Sequence, residues 1–173
     1  MSFDFIKPDN PLLRTKLENF DFSNPPEDPE KISLDLIKKM NETGGLGLSA
    51  NQLGLPYRVF SMRSSPNLVC FNPRIVSSSE QGTWMEEGCL SFPNLIFKAY
   101  RANKIRVRFT TPNGNIVTKD FEGMTSRIFQ HEMDHMDGKY PFEGIGRIRL
   151  DKALRSAEKL GSYYRPYGLM KYA

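Results

Sequence analysis

The sequence predicts an α+β domain with a mainly antiparallel sheet, and three observations carry that expectation. Short runs rich in β-branched and aromatic residues fill the middle of the chain, between residues 57 and 122. An Asn113-Gly114 pair, a hairpin turn signal, separates two of these runs. Helical periodicity flanks the stretch on both sides, giving the order helix, strands, hairpin, helix, helix. With 173 residues, of which 39% are hydrophobic and 25% charged, the chain is expected to form one domain over residues 1–173. Its last part, residues 147–173, is expected to be a basic helix and tail.

The elements follow in order. Pro8, Pro11, Pro25 and Pro26 make residues 8–28 an irregular lead-in. Asp28 suits a helix N-cap, Pro29 a first turn and Gly44 a stop. Between them Ile32, Leu36 and Met40 recur every four residues, joined by Ile37, so one face packs on a core. "YRVFSM", "NLVCFNP", "NKIRVRFTT" and "NIVTKDF" read as strands, with Ile105, Val107 and Phe109 alternating against Arg106 and Arg108. A second helix covers about 124–137 and ends near Gly138; a third runs from about 149 to 160 and stops at Gly161.

The net charge of +4 favours an anionic surface somewhere but does not establish nucleic-acid binding, and DNA is not an expected partner. No apolar run is long enough for a membrane span, and "MSFDFIKPDN" lacks the basic and apolar regions of a signal peptide. The expected location is the cytoplasm, without membrane attachment. Cys70 and Cys89 then have little reason to pair. Cys70, inside "LVCF", reads as a core thiol.

"FQHEMDHMDG", residues 129–138, holds both histidines of the chain. His131 and His135 are one helical turn apart and share a face, so their imidazoles can grip one cation. Glu132 stands beside the first, able to reach a water at that cation without being a ligand. The plainer alternative is a helix that buries two hydrogen-bonded histidines. "EEGCLSFPNL", residues 86–95, offers Cys89 as a third ligand, next to the conformationally free Gly88; taken alone, Cys89 would be a small core residue. "GGLGLSANQLGL", residues 44–55, lacks the signature of a phosphate loop. It reads better as backbone that approaches something closely, with Gln52 presenting an amide donor.

Together, "GLGLSANQ" (45–52), "EGCLS" (87–91) and "QHEMDH" (130–135), in that order and spacing, resemble the peptide deformylase family. "DNPLLR" near the start and "GKYPFEGI" after the third motif add to the likeness. The resemblance implies antiparallel sheets around a central metal-binding helix, and hydrolysis of the formyl group from N-formylmethionyl nascent peptides. It implies Cys89, His131 and His135 as ligands of one divalent ion, with Fe²⁺ named first and Zn²⁺, Ni²⁺ or Co²⁺ as alternatives. Glu132 would carry the proton, and the Gln52 amide and the Leu90 backbone N–H would hold the oxyanion. Gly45, Gly47 and Gly88 would let the peptide lie close, and Leu46, Met124, Ile128 and the flank of His131 would receive the methionine. Arg127 reads as a solvated or salt-bridged residue.

Two other classes share parts of this pattern. An endopeptidase would use the helix motif but usually draws its third ligand from a downstream His or Glu; a non-catalytic metal-stabilised module would need neither Glu132 nor Gln52. The chain departs from the family in having Ser49 where Ala is usual and Asn94 where Gly is common, and residues from about 161 onward match nothing assignable. Residues 147–173 carry seven basic and two acidic side chains. Lys152, Arg155 and Lys159 would form a stripe opposite Leu150, Ala153, Leu154, Ala157 and Leu160. Since some family members dock on the ribosome through a C-terminal helix, this stripe is an expected contact for ribosomal RNA.

Overall fold

A computed structural model of the chain describes residues 4–164. The described residues form α1 (Pro29–Glu42), β1 (Gly47–Ser49), β2 (Val59–Met62), β3 (Leu68–Ser78), β4 (Gly82–Cys89), β5 (Phe92–Ala102), β6 (Lys104–Thr110), β7 (Ile116–Glu122), α2 (Gly123–Met136) and α3 (Arg147–Lys159). All strand pairs are antiparallel: five strands join in the order β1-β2-β3-β6-β7, and β4 pairs with β5. The α+β class with antiparallel sheets agrees with the sequence reading.

The larger sheet is buried on both faces where β2 and β3 meet. Val59, Val69 and Phe71 point to α1, where Ile32, Leu36 and Met40 cover them. Phe60, Met62 and Cys70 point the other way, to Phe129, Met133 and Met136 of α2. Double-sided burial accounts for the lack of apolar–polar alternation in "VFSM" and "LVCF", with Ser61 buried among the apolar residues. Cys70 is the core thiol expected; burial raises its pKa far above the usual value.

α1 starts where the Asp28 carboxylate accepts from the Glu30 N–H and stops before Gly44, whose φ is +67°. The lead-in is irregular apart from a 3₁₀ turn at Pro11–Arg14, but it is anchored: Leu13, Leu17 and Phe20 are buried. It passes over the end of α2, with Leu17 N–H donating to Met136 O. Gly138 lets it come that close, because a Cβ there would stand 2.6 Å from Thr15. Asn51 and Arg58 donate to the carbonyls of His135 and Met136 at 3.1 and 2.9 Å, satisfying the terminal acceptors of α2.

The β4–β5 hairpin covers the other side of α2. These two strands are not among those the sequence predicts. β5 alternates, with Leu95, Phe97 and Ala99 inward, but Ile96 and Tyr100 on its exposed side hide the pattern. β4 is mostly exposed, and its inward Glu87 joins an ion-pair cluster. α3 packs Leu150, Ala153, Leu154 and Ala157 onto β5, burial worth about 1.5–3 kcal/mol for each leucine. Leu160 departs from the expected apolar side: it caps α3 beyond the sheet and is exposed. Of the expected basic tail, residues 165–173 lie outside the described residues.

Candidate metal centre

Cys89, His131 and His135 meet between α2 and the end of β4, all three buried, with one ligand atom from each lying within 4.8 Å of the others. Helical spacing brings the two imidazoles together, their centroids 5.4 Å apart. Cys89 arrives at the end of β4, through a bulge between Glu87 and Cys89 in its pairing with β5. Its Sγ lies 3.3 Å from His135 Nε2.

The donor set fits a divalent transition metal. One thiol and two imidazoles are borderline-soft ligands of the kind that hold Fe²⁺, Zn²⁺, Ni²⁺ or Co²⁺. Burial, with the charges of His131 and Arg101, lowers the His135 pKa well below its ordinary value, keeping the ring neutral as a ligand must be. Burial also opposes charge on His131, but contacts with Cys89 and Glu87 and the charge of Glu132 outweigh it and raise its pKa to about 10. The local field therefore favours positive charge at this point.

Glu87 is a member of the site that is not expected from the sequence. Two residues before Cys89 on the same strand, it points inward alongside it. Its Oε2 lies 3.0 Å from His131 Nδ1, which leaves Nε2 for a cation. Arg101 grips both its oxygens at 2.9 Å and Arg127 donates to Oε1 at 2.7 Å. Burial alone would raise the Glu87 pKa, but hydrogen bonds from His131 and Arg101 hold it at about 2. Arg127 is thus salt-bridged, as one expected reading had it, and buried rather than solvated; it also donates to Ala99 O and Thr83 O, tying α2 to the hairpin. Gln130 adds a two-way clasp on the backbone of Ala102.

Glu132 is buried beside the Cys89-His131-His135 cluster, and its desolvation raises its pKa despite the opposing effects of His131 and Ser49. Ser49 Oγ donates to its Oε2 at 2.5 Å. Gln52 accepts from the Ser49 N–H at 2.9 Å, so its amide nitrogen faces the site, 2.9 Å from Ser91 Oγ and 3.6 Å from Cys89 Sγ.

A cavity of about 380 Å³ opens onto these groups. Gly45, Leu46, Gly47, Gln52, Gly88, Cys89, Leu90, Met124, Ile128, His131 and Glu132 all line it, so three distant segments of sequence converge on one cleft. Of the residues singled out from the sequence, His135 stands behind this lining, fully buried. Leu46 and Met124 are about half exposed, at the cleft's rim. Asn94, also in the wall, has a φ of +65°, the backbone region in which glycine is common.

Two helix-borne histidines, a glutamate beside them and an upstream cysteine, opening on an apolar cleft, form a cluster that could hold a metal ion in the manner of a metal-dependent hydrolase. The polypeptide deformylase family model matches residues 3–150. The peptide deformylase of Bradyrhizobium diazoefficiens is 33% identical over 140 residues, covering 75% of this chain and 80% of that protein. That of Treponema pallidum is 36% identical over 121 residues, covering 69% and 75%. Among solved structures, the Thermus thermophilus peptide deformylase matches with a TM-score of 0.83 at 30% identity, over 91% of this chain and 94% of that one. The Synechococcus elongatus peptide deformylase in complex with actinonin matches with a TM-score of 0.83 at 25% identity, over 92% and 88%. The chain belongs to the peptide deformylase family. It is a metal-dependent hydrolase that removes the formyl group from the N-terminal formyl-methionine of newly synthesised proteins and releases formate.

Proposed function

We propose that Cys89, His131 and His135 hold the catalytic ion, with Fe²⁺ as its occupant in the cell, and that Glu132, Gln52 and Leu90 run the reaction around it. The observation that carries this reading is the buried Cys-His-His cluster with Glu132 packed beside it at the floor of the cleft. When bound, the ion acts as a Lewis acid that polarises the formyl oxygen and acidifies a water molecule.

Glu132 takes a proton from that water as the water oxygen bonds to the formyl carbon. It then delivers the proton to the departing nitrogen as the carbon–nitrogen bond breaks, leaving formate and a free amine. Burial suits Glu132 to this exchange, because desolvation raises its pKa above that of a free carboxylate and makes it a better proton acceptor. Gln52 and the Leu90 N–H donate to the formyl oxygen as it gathers charge. The Gln52 contact with Cys89 Sγ, at 3.6 Å, is its looser one and the one an oxyanion takes over. Gly45, Gly47 and Gly88 admit the peptide backbone, and Leu46, Met124, Ile128 and the His131 ring receive the methionine side chain.

Residues 1–173 act as one catalytic domain in this reading, working in the cytoplasm where formylated chains emerge. No helix among the described residues is long and apolar enough to cross a membrane. On α3, Lys152, Arg155 and Lys159 are exposed while Leu150, Ala153, Leu154 and Ala157 are buried, so the basic stripe is free to meet ribosomal RNA phosphates.

Formate release from formyl-Met-Ala-Ser tests the reading when compared with acetyl-Met-Ala-Ser, using protein purified without air. Turnover of the formyl peptide alone, abolished by a chelator, is expected. Cleavage within the acetylated peptide would indicate endopeptidase chemistry instead.

A further inference from the structure

We propose that the Ser49 hydroxyl is a positioning group for the Glu132 carboxylate in deformylation; this rests on the role given above to Glu132. β1 is three residues long, and in a strand alternate side chains share a face. Leu48 therefore turns into the α1 core, while Gly47 and Ser49 both face Glu132, Ser49 from 83 residues away in sequence. The two positions grip opposite oxygens of one carboxylate. Ser49 Oγ donates to Oε2 at 2.5 Å, and Oε1 lies so close to Gly47 that a Cβ there would stand 2.3 Å from it. Gly47 lines the cleft, so the oxygen on its side is the one presented to substrate.

Ser49 is fully buried and Glu132 nearly so, which shelters their hydrogen bond at Oε2 from solvent. Among the described residues the Ser49 hydroxyl is the donor to Oε2, and without it rotation of the carboxylate carries Oε1 off the line of proton transfer. Small misplacements of a catalytic group are costly in rate. Ser49 and Gln52 also form a capping box, in which the hydroxyl accepts from the Gln52 backbone N–H and the Ser49 N–H donates to the Gln52 side-chain oxygen. The second contact survives loss of the hydroxyl and keeps the amide in place, whereas Glu132 loses the donor to its Oε2.

The experiment is a double-mutant cycle of Ser49→Ala and Glu132→Ala, with metal content and thermal unfolding measured on the same preparations. Ser49→Ala is expected to lower kcat by about 10- to 100-fold, the range of a hydrogen bond to a charged group, with KM and metal content unchanged. In the Glu132→Ala background it should have no further effect on the residual rate. A crystal structure of the Ser49→Ala protein should show the Glu132 carboxylate turned from its place beside Gly47 or divided between rotamers. An unchanged kcat, an unmoved carboxylate, an additive loss in the double variant, or loss of metal or of fold in the single one would each overturn the proposal. Full activity of Glu132→Ala alone would instead remove the role of Glu132 on which it rests.

Discussion

Glu87 accepts from His131 Nδ1 at 3.0 Å while the same carboxylate is gripped by Arg101 and Arg127. The pairing fixes the tilt and tautomer of the imidazole, so that Nε2 faces Cys89 and His135. A partner of this kind fixes the orientation of an imidazole that is to bind metal, as proposed for His131.

Replacing Glu87 with Gln keeps the size of the side chain but removes its charge. Metal affinity should fall about 10- to 100-fold. The protein should also be destabilised by about 3–5 kcal/mol, because Arg101 and Arg127 lose the anion that they are buried against. Metal titration and thermal unfolding of the same preparation check both. Wild-type affinity in Glu87→Gln would mean that the His131 ring is held by its helix alone.

The two cysteines should separate cleanly. Cys89→Ala should abolish metal retention, whereas Cys70→Ala should retain metal and show only a modest loss of stability, since Cys70 packs against the apolar side of α2. Elemental analysis of the two variants beside wild type decides the matter. Equal metal in all three would move the third ligand elsewhere.

The amide of Gln52 bears on turnover rather than on metal. Gln52→Leu should keep the fold and the ion but lose about 10²–10³-fold in kcat. Steady-state kinetics on a formyl peptide would return the residue to a packing role if kcat were unchanged.

Much of this site was legible because its chemistry is concentrated. His131 and His135 are the only histidines in the chain, and their spacing places them on one helix face wherever that helix packs. The helices were readable from capping residues and periodicity, as with Asp28, Pro29 and Gly44. β4 was not, because its inward position is filled by an ion-paired Glu87 that looks like a solvated acid in sequence. β1 was hidden in a glycine-rich run whose length gives no alternation to read. Ser49 was visible only as a small residue able to make a hydrogen bond; its partner lies 83 residues away, and only the packing of β1 on α2 names it.

The exposed stripe on α3 makes a separate prediction. Changing Lys152, Arg155 and Lys159 to Glu should spare turnover of a free formyl peptide and weaken co-sedimentation with ribosomes, most visibly at low salt. Equal ribosome binding by the triple variant and wild type at low salt would leave the stripe as a solvated face.

In the proposed mechanism the chemistry turns on Glu132, which stands beside the Cys89-His131-His135 cluster without belonging to it. The decisive measurement is kcat for formate release by Glu132→Ala, taken together with its metal content. The expected result is a full complement of metal and a loss of about 10²–10⁴-fold in rate. Near-normal turnover by the metal-loaded variant would contradict the assignment of proton transfer to Glu132.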